Sequence, residues 1–240
     1  MKKYIIITIL IFLFSDCTAQ KDYHNFFIGS NYTTTDLSIP NSANNYKIGL
    51  NVGYKYVQTL FSSISVSAGL EFKIIQSKFL RQHYDNSAII LDPRSVSERI
   101  KISRLIIPLQ AYYNFVNKKK STFYIMFGTE IILLNKADRT VDYYIPISPG
   151  GLVKGTYTGK QTIKFGENNK SIGTTFMSGI GSAFEIKDRN FTVELSFCSD
   201  ISKNKFLTLH NIESDSYFFT KFKSLQLTAG TSFSFRNKKK

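Results

Sequence analysis

Apolar and polar residues alternate one by one along eight stretches of this chain, and the apolar rows carry almost no charge. In the last stretch, every second residue from Leu225 to Phe235 is apolar or threonine, while the residues between them are polar or glycine. A period of two predicts β-strands with one apolar face. A charged side chain that faces lipid costs about 2 to 4 kcal/mol, so rows this free of charge are typical of strands that cross a membrane.

The spacing of these stretches predicts how the strands are connected. We expect eight strands, at 25–35, 46–58, 62–79, 99–116, 121–135, 171–187, 191–201 and 219–235. Short connections alternate with long ones, and the long ones cover 36–45, 80–98, 136–170 and 202–218. This alternation is the rule for antiparallel up-and-down barrels in outer membranes, with short periplasmic turns and long extracellular loops. The sequence therefore predicts an all-β fold, an eight-stranded antiparallel up-and-down transmembrane β-barrel with both termini in the periplasm.

The first nineteen residues have the composition of an export signal. Lys2 and Lys3 precede an apolar run from Tyr4 to Phe14, and Cys17-Thr18-Ala19 resembles a cleavage site. A run of eleven residues, ten of them apolar, is too short for a membrane-spanning helix, which needs about 20. We expect a cleaved signal peptide at 1–19 and one barrel domain at 20–240. Acylation of Cys17 as a lipoprotein is the alternative, although Asp16 is an unusual residue beside such a cysteine.

The chain is strongly basic, with a formal net charge of +14. A basic balance can indicate nucleic acid binding. Because the chain is expected to be exported, we predict no nucleic acid partner. We expect the anionic groups of outer-membrane lipid and lipopolysaccharide to balance the positive charge. Cleavage after Ala19 would leave Cys198 as the one cysteine, so no intramolecular disulfide is expected.

Charged residues on the inward face are the first candidate site. An eight-stranded barrel leaves an interior just wide enough for side chains. Because unpaired buried charge is very unfavourable, we expect these residues to form a paired plug. A narrow gated pore and catalysis by the carboxylates are the alternatives. The residues are Lys55, Glu71, Lys73, Arg104, Glu130, Glu185 and Glu194.

The long connection at 136–170 is the second candidate site. It reads as a hairpin that extends the fifth and sixth strands beyond the membrane, and exposed aromatic loops form contact surfaces. Its possible contact residues are Tyr143, Tyr144, Ile145 and Tyr157. The alternative is that these residues only cover one another.

Catalytic and cofactor sites have little support in the sequence. His24, His83 and His210 are scattered, and none stands in a recognisable pattern with a serine and an acid. One mature cysteine and three separated histidines offer no metal-ligand spacing. We therefore expect no enzyme activity, no metal and no cofactor.

Pro108 predicts an irregularity in the fourth strand, since proline cannot donate a hydrogen bond to a neighbouring strand. Apolar residues also move from even positions, Ile100 and Ile102, to odd positions, Leu105 and Ile107. We therefore expect a β-bulge between Ser103 and Pro108.

Three segments carry a family resemblance. Leu105 to Phe115 resembles the "leucine, x, isoleucine, proline, leucine … tyrosine, x, phenylalanine" strand of the outer-membrane β-barrel family common in Bacteroidetes, which has porin-like and PorT-like members. Gly179 to Glu185 resembles its "GxGxxxE" strand, and Leu225 to Phe235 its closing "LxLxxGxSF" strand. The chain departs from the pattern at its end, where Arg236 to Lys240 follow the terminal aromatic residue.

The resemblance implies a protein of a Gram-negative outer membrane. We expect a monomer with a structural or interaction role, in which extracellular loops contact a protein partner and side chains plug the lumen. A small porin-like channel is the alternative, and PorT-like relatives imply a further one, an accessory component of a secretion system. Wall strands look alike in all three cases.

Overall fold

The chain forms a closed antiparallel β-barrel. A computed structural model describes residues 22–36, 42–61, 63–83, 94–118, 121–147, 151–166, 168, 170–186, 189–207 and 217–233. Eight strands make the wall, in the order β1 Tyr23–Asp36, β2 Ser42–Phe61, β3 Ile64–His83, β4 Arg94–Lys118, β5 Ser121–Ile147, β8 Gly173–Ile186, β9 Arg189–Asp200 and β11 Tyr217–Phe233. The barrel closes because β1 pairs with β11 from His24 opposite Phe233 to Asp36 opposite Lys221. This confirms the fold class predicted from the sequence.

The wall strands are long and are joined alternately by short and long connections. The short connections β2–β3, β4–β5 and β8–β9 all lie at one end of the barrel, which we call the turn end. The opposite end, with the long connections, is the loop end.

Side chains alternate between the two faces of the wall, as the period of two requires. Outward residues are apolar and exposed, for example Ile28 at 64% and Ile48 at 68%. Their inward neighbours are polar and buried, for example Asn31 and Asn51 at 1% each. This distribution is the reverse of that in a soluble protein and suits a wall surrounded by lipid.

The wall continues beyond the eight-stranded region at the loop end. Strand β6, Gly151–Thr162, pairs with β5 along its whole length, from Thr162 opposite Lys136 to Gly151 opposite Ile147. This is the hairpin expected within 136–170. Two short strands, β7 Lys164–Phe165 and β10 Asn204–Leu207, pair with each other, and β10 pairs with β11. The chain turns after β7 at Gly166, whose φ of 62° lies in the left-handed region that glycine adopts most easily.

The prediction of a β-bulge in β4 between Ser103 and Pro108 is wrong. Residues at even positions from Ile100 through Arg104 to Pro108 are all buried, so β4 keeps one phase, and its pairing with β3 shows no shift. The irregularity lies in the facing strand, where Leu105 pairs with Leu134 but Ile106 pairs with Ile132. Leu133 is the extra residue. It changes the inward face of β5 from even positions up to Ile132 to odd positions from Asn135.

Several expectations fall on residues outside the described ranges. These are the signal peptide at 1–19, acylation of Cys17 and the segment from Ser234 to Lys240. Over the described ranges, the chain has no helix that is both long enough and apolar enough to span a membrane.

Candidate functional site: the charged interior of the barrel

An ion pair crosses the interior near the turn end. Lys55 of β2 places its Nζ 2.7 Å from Oε2 and 3.0 Å from Oε1 of Glu194 on β9. Tyr124 donates to the same carboxylate at 3.1 Å, and Thr228 donates at 3.4 Å. The ammonium also lies 4.9 Å from the centre of the Phe27 ring, within range of a cation–π interaction. Each charged group therefore has a protein partner of opposite charge.

A second group lies midway along the barrel. Lys73 of β3 places its Nζ 2.7 Å from Glu130 Oε1 on β5 and 3.6 Å from Glu71 Oε1. Asn51 donates to Glu71 Oε1 at 3.1 Å, and the thiol of Cys198 lies 3.8 Å from Glu130 Oε1. The Lys73 ammonium thus lies beside two carboxylates, those of Glu71 and Glu130. All of these side chains are buried.

A third group lies toward the loop end. Arg104 of β4 donates from Nη1 and Nη2 to the two oxygens of Asp200 on β9, at 2.9 and 2.8 Å. Asn204 accepts from Arg104 Nη2 at 2.9 Å and donates to Asp200 Oδ2 at 2.7 Å. Asn135 and Thr175 complete the network at 3.3 and 2.9 Å. A bidentate arginine–carboxylate pair fixes both partners in one geometry.

Apolar side chains fill the interior around and beyond the arginine. One buried cluster consists of Ile75, Ile100, Ile102, Ala137, Ile163 and Phe222. A second consists of Ile106, Ile132 and Phe165. Phe165 comes from β7, and its ring lies against inward-facing Gly173, where an added Cβ would meet ring atoms at 2.4 Å. The segment after β6 therefore turns apolar side chains into the barrel.

Six of the seven residues predicted from the sequence lie together in this interior. Lys55, Glu71, Lys73, Arg104, Glu130 and Glu194 are each at most 6% exposed. We call these six residues together with Asp200 the lumen cluster. The prediction that Glu185 lies inside the barrel is wrong. Its side chain is exposed, and the residue lies one position before the end of β8 at the turn end. Its position in the alternation is inward, but it lies beyond the enclosed part of the barrel.

Sequence reasoning missed Asp200, although the signal was present. The alternation that predicts an inward Glu194 continues through Ser196 and Cys198 to Asp200. Asn135 and Asn204 were missed for other reasons. Asn135 follows the bulge at Leu133, and Asn204 belongs to β10, which had not been predicted.

The loop residues are placed only through their backbone. Tyr143, Tyr144 and Ile145 belong to the part of β5 that pairs with β6, and Tyr157 lies opposite Val141. Their side chains are outside the described part of the structure. They belong to the hairpin predicted from the sequence, and their role as a contact surface remains a prediction.

Groups with catalytic or metal-binding potential are dispersed among the described residues. His24 lies at the turn end, where its Nδ1 is 2.6 Å from the Tyr54 hydroxyl, while His83 ends β3 at the loop end. Within the described ranges, no three residues of the types His, Cys, Asp or Glu converge closely enough to hold a metal ion. His210 lies outside those ranges.

Comparisons with known proteins give one family match. The family model described as "Outer membrane protein beta-barrel domain" matches residues 19–205. A comparison with the curated protein sequences finds no match.

Solved barrels resemble the chain only distantly. OprG from Pseudomonas aeruginosa is 10% identical, with a TM-score of 0.49, 92% of this chain and 100% of that chain covered. The attachment invasion locus protein Ail of Yersinia pestis, in complex with the heparin analogue sucrose octasulfate, is 12% identical, with a TM-score of 0.37 and coverage of 89% and 100%. The outer membrane protease OmpT from Escherichia coli is 10% identical, with a TM-score of 0.45 and coverage of 91% and 98%. Similarity at this level carries no functional argument.

Proposed function

Because the chain belongs to the outer membrane protein beta-barrel domain family, we propose that it is a small barrel with a closed lumen that acts through its loop end. In this proposal it has a structural or interaction role in the outer membrane, without catalysis. The wall anchors the protein in lipid, and the lumen cluster seals it. The hairpin of β5 and β6 supplies the surface that meets a partner.

The observation that carries the proposal is the stacking of ion pairs along the barrel axis. The pairs Lys55–Glu194 and Arg104–Asp200 each join strands that lie three places apart in the wall, whereas Lys73–Glu130 joins the two strands on either side of β4. All three pairs are buried in the interior. They lie at successive heights from the turn end to the loop end. An ion that moved along the axis would have to break each of them in turn.

Energetics favour a permanent closure over a gate. Separating a buried ion pair leaves two charges that neither water nor a partner compensates, which costs several kcal/mol for each ion. Tyr112, Tyr124 and Met126 are also buried in the interior, at most 4% exposed. A porin needs a hydrated path through its lumen. An eight-stranded barrel is too narrow to hold both these side chains and such a path.

The proposed orientation puts the loop end outside the cell and both chain termini in the periplasm. It is supported by the short connections at one end of the barrel, by the aromatic residues at that end, such as Phe61 and Phe115, and by the apparent signal peptide. The long hairpin would then be accessible to other cells and proteins. We propose that the barrel is a monomer, because its wall closes on itself through β1 and β11.

Permeation of small solutes tests the proposal. Proteoliposomes that contain the purified protein are diluted into isotonic glycine, and swelling is followed by light scattering. The closed lumen predicts the same swelling rate as in liposomes without protein. Faster swelling, with a rate that falls as the solute becomes larger, would assign the protein to the porin-like alternative.

A further inference from the structure

Two carboxylates lie beside one ammonium group midway along the barrel. The Lys73 Nζ is 2.7 Å from Glu130 Oε1 and 3.6 Å from Glu71 Oε1. Because both oxygens lie near the same nitrogen, two groups of like charge are close together. None of the three residues is more than 4% exposed. If both carboxylates are ionised, this group therefore carries one negative charge in excess.

The nearest charged groups already have partners of their own. Lys55 pairs with Glu194 on the turn-end side, and Arg104 pairs with Asp200 on the loop-end side. The thiol of Cys198 lies near the same carboxylates, 3.8 Å from the glutamate of β5, and adds no positive charge. The ion pairs above and below thus leave the excess charge of the middle group uncompensated.

The other inward faces supply no counter-charge at this height. The inward residues are uncharged in β1 from Asn25 to Thr33, in β11 from Ser224 to Ser232 and in β8 from Thr175 to Gly181. Arg139 is a further buried cation of the described interior, but it follows the glutamate of β5 by nine residues, about 30 Å at about 3.3 Å per residue. Over the described part of the chain, one positive charge is missing beside Lys73.

Two buried oxygens of this region have no hydrogen-bond partner among the described residues, Oε2 of Glu130 and Oδ1 of Asn51. The Asn51 amide is directed at the excess charge, since its Nδ2 lies 3.1 Å from Glu71 Oε1. A half-turn of an asparagine amide exchanges its nitrogen and its oxygen. In that orientation Asn51 Oδ1 accepts a hydrogen bond from a protonated Glu71, and the oxygen gains the partner that it lacks.

We propose that this site binds one proton at neutral pH, held between the carboxyl group of Glu71 and the amide of Asn51, while Glu130 stays ionised beside Lys73. The shorter contact assigns the ammonium to Glu130, so Glu71 is the carboxyl group that gains most from a proton. Two carboxylates that share one site in a dry interior resist double ionisation. The proposal rests on the closed lumen proposed above, because water in the interior would stabilise both carboxylates.

Infrared spectroscopy of the purified full-length protein at neutral pH detects the proton directly. A protonated carboxyl group has a carbonyl stretch that is separate from the bands of carboxylates and of backbone amides. A detergent without ester groups and isotopically labelled glutamate assign this band to a glutamic acid side chain. The variants are Glu71→Gln and Glu130→Gln. The matched control is Glu185→Gln, because Glu185 is exposed at the turn end.

The expected result is one such band in the wild type and in the control, and its loss in both lumen variants. Glu71→Gln removes the protonated group itself. Glu130→Gln leaves Glu71 as the one carboxylate beside Lys73, so Glu71 ionises and its band disappears as well. A role of Glu130 in packing alone would leave the band of Glu71 in place.

Urea unfolding as a function of pH gives a second readout. The folded chain holds a proton that the same glutamate has released in the unfolded chain at neutral pH, so the stability of the wild type should fall as the pH rises. Relative to Glu71→Gln, its equilibrium constant for unfolding should rise about tenfold per pH unit until the site releases its proton. At neutral pH, Glu71→Gln should unfold at the same urea concentration as the wild type or at a higher one.

Three results would overturn the proposal. The first is the absence of the band from the wild type, or its persistence in Glu71→Gln. The second is a Glu71→Gln variant that does not fold or that unfolds at a lower urea concentration than the wild type. The third is a band that appears in choline buffer but not in sodium buffer, which would assign the site to a metal cation. Closure of the lumen is tested separately by solute permeation, so a closed barrel without the band would contradict the proton site alone.

Discussion

Arg104 and Asp200 are 96 residues apart in the chain, yet they face each other across the barrel as a bidentate ion pair with N–O distances of 2.9 and 2.8 Å. Each is only 2 to 3% exposed. The pair ties β4 to β9, two strands that have no wall contact with each other. The apolar cluster around Phe222 lies beside it, with the Arg104 guanidinium carbon 5.3 Å from the centre of that ring.

Asp200→Ala should strongly destabilise the barrel. It leaves Arg104 buried without a counter-charge and removes the acceptor of Thr175 and Asn204. Loss of one partner from a buried pair costs about 3 to 5 kcal/mol. Urea unfolding in lipid vesicles measures the free energy of unfolding.

The control is Asp142→Ala, whose pair with Arg99 is at the surface and should contribute about 0 to 1 kcal/mol. Equal stability of the two variants would contradict the role assigned to the pair.

Removing both members of the Lys55–Glu194 pair should cost less than removing one. Lys55→Met leaves a buried carboxylate, whereas Lys55→Met with Glu194→Gln leaves no charge and keeps an acceptor for Tyr124. Breaking a buried pair costs about 3 to 5 kcal/mol, while replacing both partners is often close to neutral. The same unfolding experiment should therefore show recovery in the double variant. A double variant as unstable as the single one would mean that packing, not charge, sets the cost.

Glu130→Ala should cost less than Asp200→Ala, at about 3 kcal/mol, since Glu71 remains 3.6 Å from the Lys73 ammonium. Glu213→Ala, in the long connection before β11, serves as its control and should leave the free energy of unfolding unchanged. If the Glu130 and Glu213 variants unfold at the same urea concentration, Lys73 does not depend on Glu130.

Cysteine labelling checks the proposed orientation. In a background that lacks Cys198, one variant carries Lys119→Cys in the β4–β5 connection and the other carries Gly151→Cys at the start of β6. An impermeant maleimide added to intact cells should label position 151 and not position 119. The opposite pattern would reverse the barrel in the membrane.

The wall could be predicted from the sequence because lipid imposes a strict rule on it. Outward rows such as that of β11 must be apolar, so their alternation gives the strands and the face of each residue. The alternation gives the face on which a residue lies but not its position along the barrel axis. It therefore predicts Glu185 inside the barrel, although the residue lies at the open end of β8.

The interior near the loop end could not be predicted in the same way. Ile100 and Ile102 are apolar but point inward, so reading apolar residues as lipid-facing produced a false bulge in β4. The true bulge at Leu133 is hidden because Ile131 to Leu134 are all apolar and either phase fits them. The partners that cross the barrel, such as Asp200 for Arg104, depend on strand order and register, which a local pattern does not contain.

The proposed closure of the lumen is tested most directly by the electrical conductance of the purified protein in a planar lipid bilayer. Wild-type protein should give no stable current steps above the background of the bilayer, because the lumen cluster and its apolar neighbours occupy the interior. Reproducible open channels, with an ion selectivity that changes in Glu130→Gln or Lys73→Gln, would contradict the account and identify a porin-like channel.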